Sequence, residues 1–371
     1  MNRISPNNND GSHPCKRFLR SKPALLLTIF SLGLIVLGTM TTVGPGAGRK
    51  RSVILEDDKL VVLSAKDYRI LKRKADAASG EGLVVPPFEI PKPFYLHYVR
   101  FQPGNGDMTM RFVDYLSVLS GVQYLKPDGI LVHGDAEPQG TYWKDLLSRN
   151  LVRYVFRNKT TAAGQRMGTP KHVAFMEHAA DISKLDVLLE YGGVVADFDV
   201  FFVRGERIKQ ILAKKRAITC YGDVDGNNIG LVAAHTDSKF LWAWRQSYRD
   251  IYVADWNFNQ CMVSKYLSIL YRDEVYVLDK VCNNPAPDQR LDDYFRGHGK
   301  IHWENSVAIH SYERHGRVAI ASPKDLEGNL TTHKELLLTI YNNKQLPPPD
   351  LSFRDEIDPL ASEPAATLLM S

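Results

Sequence analysis

The sequence lacks several features that would place it in a common class. It has no C-x-x-C pair, and its four cysteines in 371 residues do not suggest a zinc site. Its formal net charge is only +5, and it has no basic stripe typical of nucleic-acid-binding proteins. No segment recurs at a fixed period, which excludes a repeat protein. We therefore expect a globular protein with no nucleic-acid partner.

Charge is also absent from residues 24–43. A run of that length matches a bilayer-spanning helix, so the sequence predicts a cytosolic tail (1–22) and a transmembrane signal-anchor helix (23–43). A cleaved signal peptide is the alternative, because the small residues of 44–48 follow the run. The prediction is a single-pass type II protein of the Golgi membrane, with the bulk of the chain in the lumen.

The rest of the chain divides by composition. Residues 44–91 predict a stem, because they are charged at first and rich in proline at the end. Within this stem, residues 59–78 could be helical. Residues 92–345 predict one catalytic domain, and residues 346–371, which begin with a proline run, predict a disordered tail.

The domain alternates predicted strands with predicted helices. Strands are expected at 94–99, 129–133 and 152–156, and helices at 110–119 and from 143 onward. Alternation of this kind is typical of an α/β fold with a mostly parallel sheet flanked by helices. Ligands of such sheets bind at the carboxyl ends of the strands.

The most informative stretch lies in the middle of the chain. Residues 171–190 carry apolar side chains at helical spacing, which predicts a helix with one buried face. Gly192 and Gly193 follow, and glycine readily adopts the left-handed conformation that ends helices. The pattern then changes to a short apolar run, 194–203, rich in Val and Phe, which is typical of a buried strand.

Two carboxylates, Asp197 and Asp199, interrupt this predicted strand. Residues two apart on a strand point to the same side, so the two side chains are expected to lie together. Two like charges beside a buried strand are costly unless a cation lies between them. Mg²⁺ and Mn²⁺ prefer such oxygen ligands, so the pair is a candidate metal site. The alternative is a strand that has reached the surface, with two solvated aspartates.

The segment from His178 to Val203 resembles glycosyltransferase family 32. That family includes animal α1,4-galactosyltransferases and α1,4-N-acetylglucosaminyltransferases and fungal α1,6-mannosyltransferases. The matching residues are Asp181, Lys184, Leu188, Tyr191-Gly192-Gly193 and Asp197-Phe198-Asp199. The resemblance implies a GT-A fold with a Rossmann-like sheet, a nucleotide-sugar donor and bound Mn²⁺, with Mg²⁺ as the alternative. Weaker matches in the same order extend over about residues 92–315.

The resemblance also assigns roles to single residues. It places Asp181, Lys184, Asn228 and Asp197 at the donor, and Asp255 near the acceptor. Lys184 stands where the family usually has Arg, and lysine keeps the charge but loses the planar fork of guanidinium.

Two of these residues also have simpler interpretations. Asp181 and Lys184 could form an ordinary surface ion pair, because they lie three residues apart on a predicted helix. Asn228 lies in a segment rich in Asn, Asp and Gly, which is typical of a turn beside a short strand.

His310 ends a short apolar run that predicts a late strand. Two carboxylates and a diphosphate leave an octahedral ion short of ligands, and Mn²⁺ accepts imidazole. The family also carries a histidine late in its catalytic domain. The predicted metal ligands are therefore Asp197, Asp199 and His310, with His315 and His302 as competitors.

The resemblance implies a retaining glycosyltransferase that moves a hexose or N-acetylhexosamine from a nucleotide sugar, UDP-linked, to a glycan on a glycolipid or glycoprotein. Asp199 and Asp197 are its predicted catalytic residues. The sequons at Asn158 and Asn329 agree with a secretory protein. The sequence gives neither the sugar and acceptor nor the pairing of Cys220, Cys261 and Cys282.

Two other classes stay open. One is a catalytically silent Golgi protein that binds a nucleotide sugar or a glycan. The other is a phosphatase with an Asp-x-Asp nucleophile and acid pair. A phosphatase of that kind carries the pair after its first strand, whereas here the pair follows several predicted elements.

Overall fold

The computed structural model describes residues 35–37, 51–56, 59–64, 87–166, 170–222, 226–278, 291–313 and 318–348. The chain divides into two compact units, one formed by residues 1–28 and 32–78 and the other by residues 29–31 and 79–371. The smaller unit contains an antiparallel sheet of three strands. These are β1 (Ile35–Leu37), β2 (Arg51–Glu56) and β3 (Lys59–Ser64), with β2 in the centre.

This small sheet corrects two predictions. Strand β1 lies inside the run predicted as a transmembrane helix, and β3 begins the segment for which a helix was considered. Both contain Val or Ile beside Leu, residues whose apolar runs suit a strand as well as a helix. The tail 1–22, the rest of the predicted anchor and the tail beyond residue 348 lie outside the described residues.

The described part of the chain contains no helix with the length and apolar character needed to cross a membrane. This finding contradicts the predicted single-pass type II location in the Golgi membrane. Absence of charge gives the length of an apolar run but not its secondary structure, and part of this run, Ile35–Leu37, forms a strand.

The larger unit is built around a sheet of seven strands. In spatial order they are β13 (Val275–Leu278), β11 (Ala217–Tyr221), β12 (Asn227–Ala234), β9 (Gly193–Ala196), β4 (Tyr95–Val99), β5 (Gly129–Gly134) and β6 (Arg153–Phe156). Neighbours run parallel except around β12, which is antiparallel to both β11 and β9. The predicted mostly parallel sheet is confirmed.

Two pairs of short strands complete the described sheets of this unit. They are β7 (Ala162–Ala163) with β8 (Lys171–His172), and β10 (Val200–Phe202) with β14 (Ala308–His310). Both pairs are antiparallel. Strand β10 of the second pair closely follows β9 in the chain and leads the backbone out of the main sheet.

Helices flank the main sheet, as predicted. The described α-helices are α1 (Phe112–Ser120), α2 (Thr141–Ser148), α3 (Met176–Tyr191), α4 (Glu206–Leu212), α5 (Lys239–Asp250), α6 (Ser264–Leu270), α7 (Leu291–Phe295) and α8 (Thr332–Tyr341). Short π-helical segments (Gly121–Leu125, Phe258–Val263) and 3-10 turns (Trp303–Asn305, Pro323–Leu326) adjoin them.

Helix α3 begins later than predicted, because Lys171 and His172 form strand β8 instead. It ends where predicted, since Gly192 and Gly193 adopt φ values of +67° and +95°. A side chain at Gly193 would place its Cβ 2.3 Å from the Tyr95 carbonyl oxygen. Glycine is therefore required both for the turn and for the close approach of β9 to β4.

Two buried histidines hold this turn. Nε2 of His97 lies 3.0 Å from the Gly192 carbonyl oxygen, and Nδ1 of His97 lies 3.1 Å from Nε2 of His133. Burial lowers the pKa of His97 to about 4 and that of His133 to about 3, so both rings are neutral near pH 7. His97 then donates to Gly192 and accepts from His133. The start of β9 is thereby fixed, and with it the residues that follow.

Candidate metal and donor site

Asp197 and Asp199 lie in a turn between two strands, and not within one strand as predicted. Strand β9 ends at Ala196, and β10 begins at Val200 and pairs with β14. The Asp197 N–H donates to the Gly230 carbonyl oxygen (2.8 Å), and the Val200 N–H donates to the Asp197 carbonyl oxygen (3.0 Å). An uninterrupted apolar run cannot reveal that the chain changes sheets within it.

The pairing of β10 with β14 brings His310 to the two aspartates. His310 lies opposite Val200, the residue after Asp199. Its Nε2 is 3.2 Å from Oδ1 of Asp199, and its side chain is only 7% exposed. The backbone N–H and hydroxyl of Ser311 both donate to the Asp199 carbonyl oxygen, at 2.9 and 3.1 Å. The late strand therefore fixes both the histidine and the backbone of Asp199.

Asp197, Asp199 and His310 form the one group of metal-ligating side chains found among the described residues. One potential ligand atom from each lies within 4.8 Å of the others. Two carboxylate oxygens and an imidazole nitrogen suit Mn²⁺, and the partial exposure of both aspartates leaves room for further oxygen ligands. The residues therefore fit the divalent cation that the sequence predicts.

The structure describes only one of the two competing histidines. His302 is exposed and is not part of the cluster. His315 lies outside the described residues. The His310 ring is close enough to both aspartates to share a cation with them. Its ligation of that cation stays a proposal.

A second layer of contacts fixes the His310 ring. The ring stacks on Tyr312, with centroids 3.9 Å apart. Tyr312 has a left-handed backbone (φ 52°), which a non-glycine residue rarely adopts. Its hydroxyl accepts a hydrogen bond from Nδ2 of Asn228 (2.8 Å), whose Oδ1 accepts from the Gly230 N–H (2.5 Å). Asn228 lies in strand β12 and not in a turn, and it supports the loop of the candidate metal site, while its contact with the donor stays a prediction.

Gly230 leaves the space that the imidazole occupies. A Cβ at this position would lie 2.5 Å from Cε1 and 2.7 Å from Nδ1 of His310, and 2.6 Å from Oδ1 of Asn228. We expect Gly230→Ala to displace the ring and to raise the Mn²⁺ concentration for half-maximal activity by about 10- to 100-fold. Gly104→Ala is the control, because nothing lies within 4 Å of its Cβ. An unchanged Mn²⁺ requirement in Gly230→Ala would show that the ring position is not important.

Lys184 is buried and joins two carboxylates. Its Nζ lies 2.6 Å from Oδ1 of Asp197 and 3.2 Å from Oδ1 of Asp181. Burial alone would lower the pKa of this amine, but the charges of Asp197 and Asp181 raise it above its usual value. Lys184 therefore carries a positive charge beside Asp197, one of the three candidate metal ligands.

Asp181 is buried as well, with 2% of its surface exposed. Burial raises its pKa, against the opposing charge of Lys184, while the neighbouring charge of Asp197 raises it further. The hydroxyl of Tyr248 in α5 donates to its Oδ2 at 3.4 Å. The pair is therefore not the surface ion pair that the sequence left open.

Asp255 lies farther along the chain, before the π-helical segment. It is exposed, and its Oδ1 accepts hydrogen bonds from the N–H groups of Asn257 (3.0 Å) and Phe258 (3.1 Å). These contacts cap a local turn. Its role at an acceptor stays a prediction.

Sequence reasoning missed several residues of the site. Gly230, Ser311 and Tyr312 act only through contacts that depend on the pairing of β10 with β14 and of β9 with β12. The pairing of Cys261, which the sequence left open, is also settled: its thiol is free, and burial, followed by the charges of Asp181 and Asp255, raises its pKa to about 12. Cys220 is disulfide-bonded, and Cys282 lies outside the described residues.

A scan of protein-family models finds none that matches this chain. A search of curated protein sequences also finds no match. The resemblance to glycosyltransferase family 32 is therefore not confirmed.

Among solved structures, similar chains are named as glycosyltransferases. The galactosyltransferase LgtC, in complex with donor and acceptor sugar analogs, is 13% identical, with a TM-score of 0.34 over 71% of this chain and 100% of that chain. Mouse xyloside xylosyltransferase 1 is 11% identical, with a TM-score of 0.36 over 59% and 97%. A mannosyltransferase from Pyrobaculum calidifontis, in complex with GDP-Man and Mn²⁺, is 11% identical, with a TM-score of 0.30 over 81% and 86%. Sequence identities and TM-scores this low do not assign an activity to this chain.

Proposed function

We propose that this protein is a Mn²⁺-dependent retaining glycosyltransferase. It moves a hexose or N-acetylhexosamine from a nucleotide sugar, UDP-linked, to a glycan acceptor on a glycolipid or glycoprotein, and it belongs with glycosyltransferase family 32. The observation that carries the proposal is the convergence of Asp197, Asp199 and His310 at the carboxyl end of β9. Ligands of parallel α/β sheets bind at this edge.

The charges around the site suit an anionic donor only with a cation present. Asp181, Asp197 and Asp199 carry three negative charges when ionised, against one positive charge on Lys184. A diphosphate would be repelled by this excess. A divalent ion held by Asp197, Asp199 and His310 would neutralise this excess and, when bound, would stabilise the charge of the departing diphosphate.

The other residues have supporting roles in this proposal. Lys184 holds Asp197 in place and contributes its charge to the donor end of the site. Asp181 fixes Lys184 and contacts the donor together with Asn228, while Asp255 lies on the acceptor side. No carboxylate is assigned as a nucleophile. Retention is then expected from attack on the face that the nucleotide leaves, with a phosphate oxygen accepting the proton of the acceptor hydroxyl.

The proposal is tested by a screen of UDP- and GDP-linked sugars for release of nucleoside diphosphate. With the correct donor, we expect release that requires Mn²⁺ and stops when EDTA removes the metal. Excess Mn²⁺ should restore it. The control is the same screen with Asp199→Asn protein.

Two results would contradict the transferase. Binding of a nucleotide sugar without any release, with or without sugar acceptors, would indicate the catalytically silent protein. Hydrolysis of p-nitrophenyl phosphate that depends on Asp197 or Asp199 would indicate the phosphatase.

A further inference from the structure

Two arginines share one buried carboxylate where strand β4 ends. The carboxylate is Asp114 of α1, which is 1% exposed. Its oxygens accept hydrogen bonds from Nη1 of Arg100 (3.0 Å) and from Nε (3.0 Å) and Nη2 (2.5 Å) of Arg111. The Arg111 backbone N–H donates to the same carboxylate at 3.1 Å. Both guanidinium groups are thereby fixed in position before any ligand arrives.

The register of the sheet places this cluster next to the aspartates. Strands β4 and β9 are parallel neighbours, with Tyr98 opposite Ala196. Arg100 lies two residues after Tyr98, and Phe198 lies two residues after Ala196. The two segments therefore leave the sheet at the same edge. The guanidinium carbon of Arg100 lies 6.0 Å from the centroid of the Phe198 ring, between Asp197 and Asp199 in sequence. Tyr98 supports that ring from below, stacked at 4.4 Å.

Arg111 has unused binding capacity on the open side of the cluster. Its side chain is 54% exposed. Among the described residues, its Nη1 group makes no hydrogen bond, because Asp114 is contacted through Nε and Nη2.

Three carboxylates act on the charge of Arg111. Burial lowers the pKa of Arg111, but Asp114 and then the charges of Glu313 and Asp199 raise it, with a net increase above its usual value. Oε1 of Glu313 lies 3.1 Å from Nε2 of His333. An anionic ligand beside Asp199 would be repelled by Glu313 and Asp199, and the positive charge of Arg111 would offset part of that repulsion.

We propose that Arg111 binds a phosphate oxygen of the nucleotide donor through its free Nη1 edge, with Asp114 and Arg100 as its positioning residues. This inference rests on the proposed function, since it names a further contact for the same donor. Guanidinium is well suited to the role, because its planar donors match phosphate oxygens and its charge is permanent. The contact would be made to the leaving diphosphate and would not depend on the sugar or the acceptor.

The test compares nucleoside diphosphates with nucleosides. UDP, GDP, uridine and guanosine are titrated by calorimetry, in Mn²⁺, into wild type, Arg111→Gln, Arg111→Lys and Arg149→Gln. Arg149 is the matched control, because it is similarly exposed (47%) and also paired with an aspartate, Asp145. Circular dichroism melting confirms that each variant is folded.

We expect Arg111→Gln to raise the Kd of the preferred diphosphate by about 10- to 100-fold and to leave the Kd of its nucleoside unchanged. Arg111→Lys should recover part of the loss, and Arg149→Gln should match wild type. Equal diphosphate affinity in folded Arg111→Gln and wild type would overturn this inference and leave the proposed function standing. A wild-type protein that binds neither diphosphate would overturn both.

Discussion

Asp199→Asn is expected to lower turnover of the correct donor by about 100- to 1,000-fold while the protein stays folded. The substitution removes a charged ligand from the candidate metal group but keeps the size of the side chain. It also removes one of two neighbouring negative charges. Because their repulsion is then lost, the folded protein without metal should be no less stable than wild type. Initial rates at saturating Mn²⁺, together with the melting temperature, measure both effects.

Asp237→Asn is the control for this experiment. Asp237 is exposed (62%) and paired with Arg216, away from the cluster. Its replacement should change neither turnover nor metal dependence. If Asp199→Asn turned over donor at the wild-type rate, with the same Mn²⁺ requirement, Asp199 would not be a ligand.

Lys184→Met should have the largest effect on folding, about 3–5 kcal/mol of the free energy of unfolding. Methionine fills a similar volume but leaves Asp181 and Asp197 without the amine that lies 3.2 and 2.6 Å from them. Lys300→Met is the control, because Lys300 is 64% exposed beside Asp293 and its pair is worth roughly 1 kcal/mol or less. Chemical denaturation at several pH values measures the difference.

The destabilisation of Lys184→Met should depend on pH in a defined direction. Asp181 already has a raised pKa in the folded protein, and loss of Lys184 raises it further. A carboxyl whose folded pKa lies above its unfolded value stabilises the fold below the unfolded pKa, and that contribution is lost as the pH rises through the folded pKa. The deficit relative to wild type should therefore be small near pH 4 and grow towards pH 7. A deficit independent of pH would indicate lost packing and not buried charge.

The sequence predicted the order of elements around the site because that order depends on local patterns. Apolar runs located β4, β5 and β6 within about one residue of their ends, and the two glycines located the end of α3. Asp197, Asp199 and His310 could also be recognised as candidate metal ligands, because carboxylate and imidazole groups bind divalent cations. Their convergence was expected from a resemblance, and the pairing of β10 with β14 supplies its physical cause.

Contacts between distant segments could not be predicted in this way. The division of the 194–203 run between two sheets has no local signal, so the turn at Asp197 and Asp199 was missed. The engagement of Asn228 with Tyr312 spans 84 residues, and that of Arg100 with Asp114 depends on where α1 packs. The predicted membrane location is contradicted for a different reason, since apolar length alone does not choose between a helix and a strand.

The central claim is that Asp197, Asp199 and His310 bind the cation that the donor requires. It is tested most directly by crystals grown with Mn²⁺ and UDP, with diffraction data collected at the manganese absorption edge. We predict an anomalous peak within roughly 2.5 Å of a carboxylate oxygen of each aspartate and of Nε2 of His310, in contact with the diphosphate. A diphosphate bound with no manganese peak at these three side chains, or with the peak on other residues, would contradict the account.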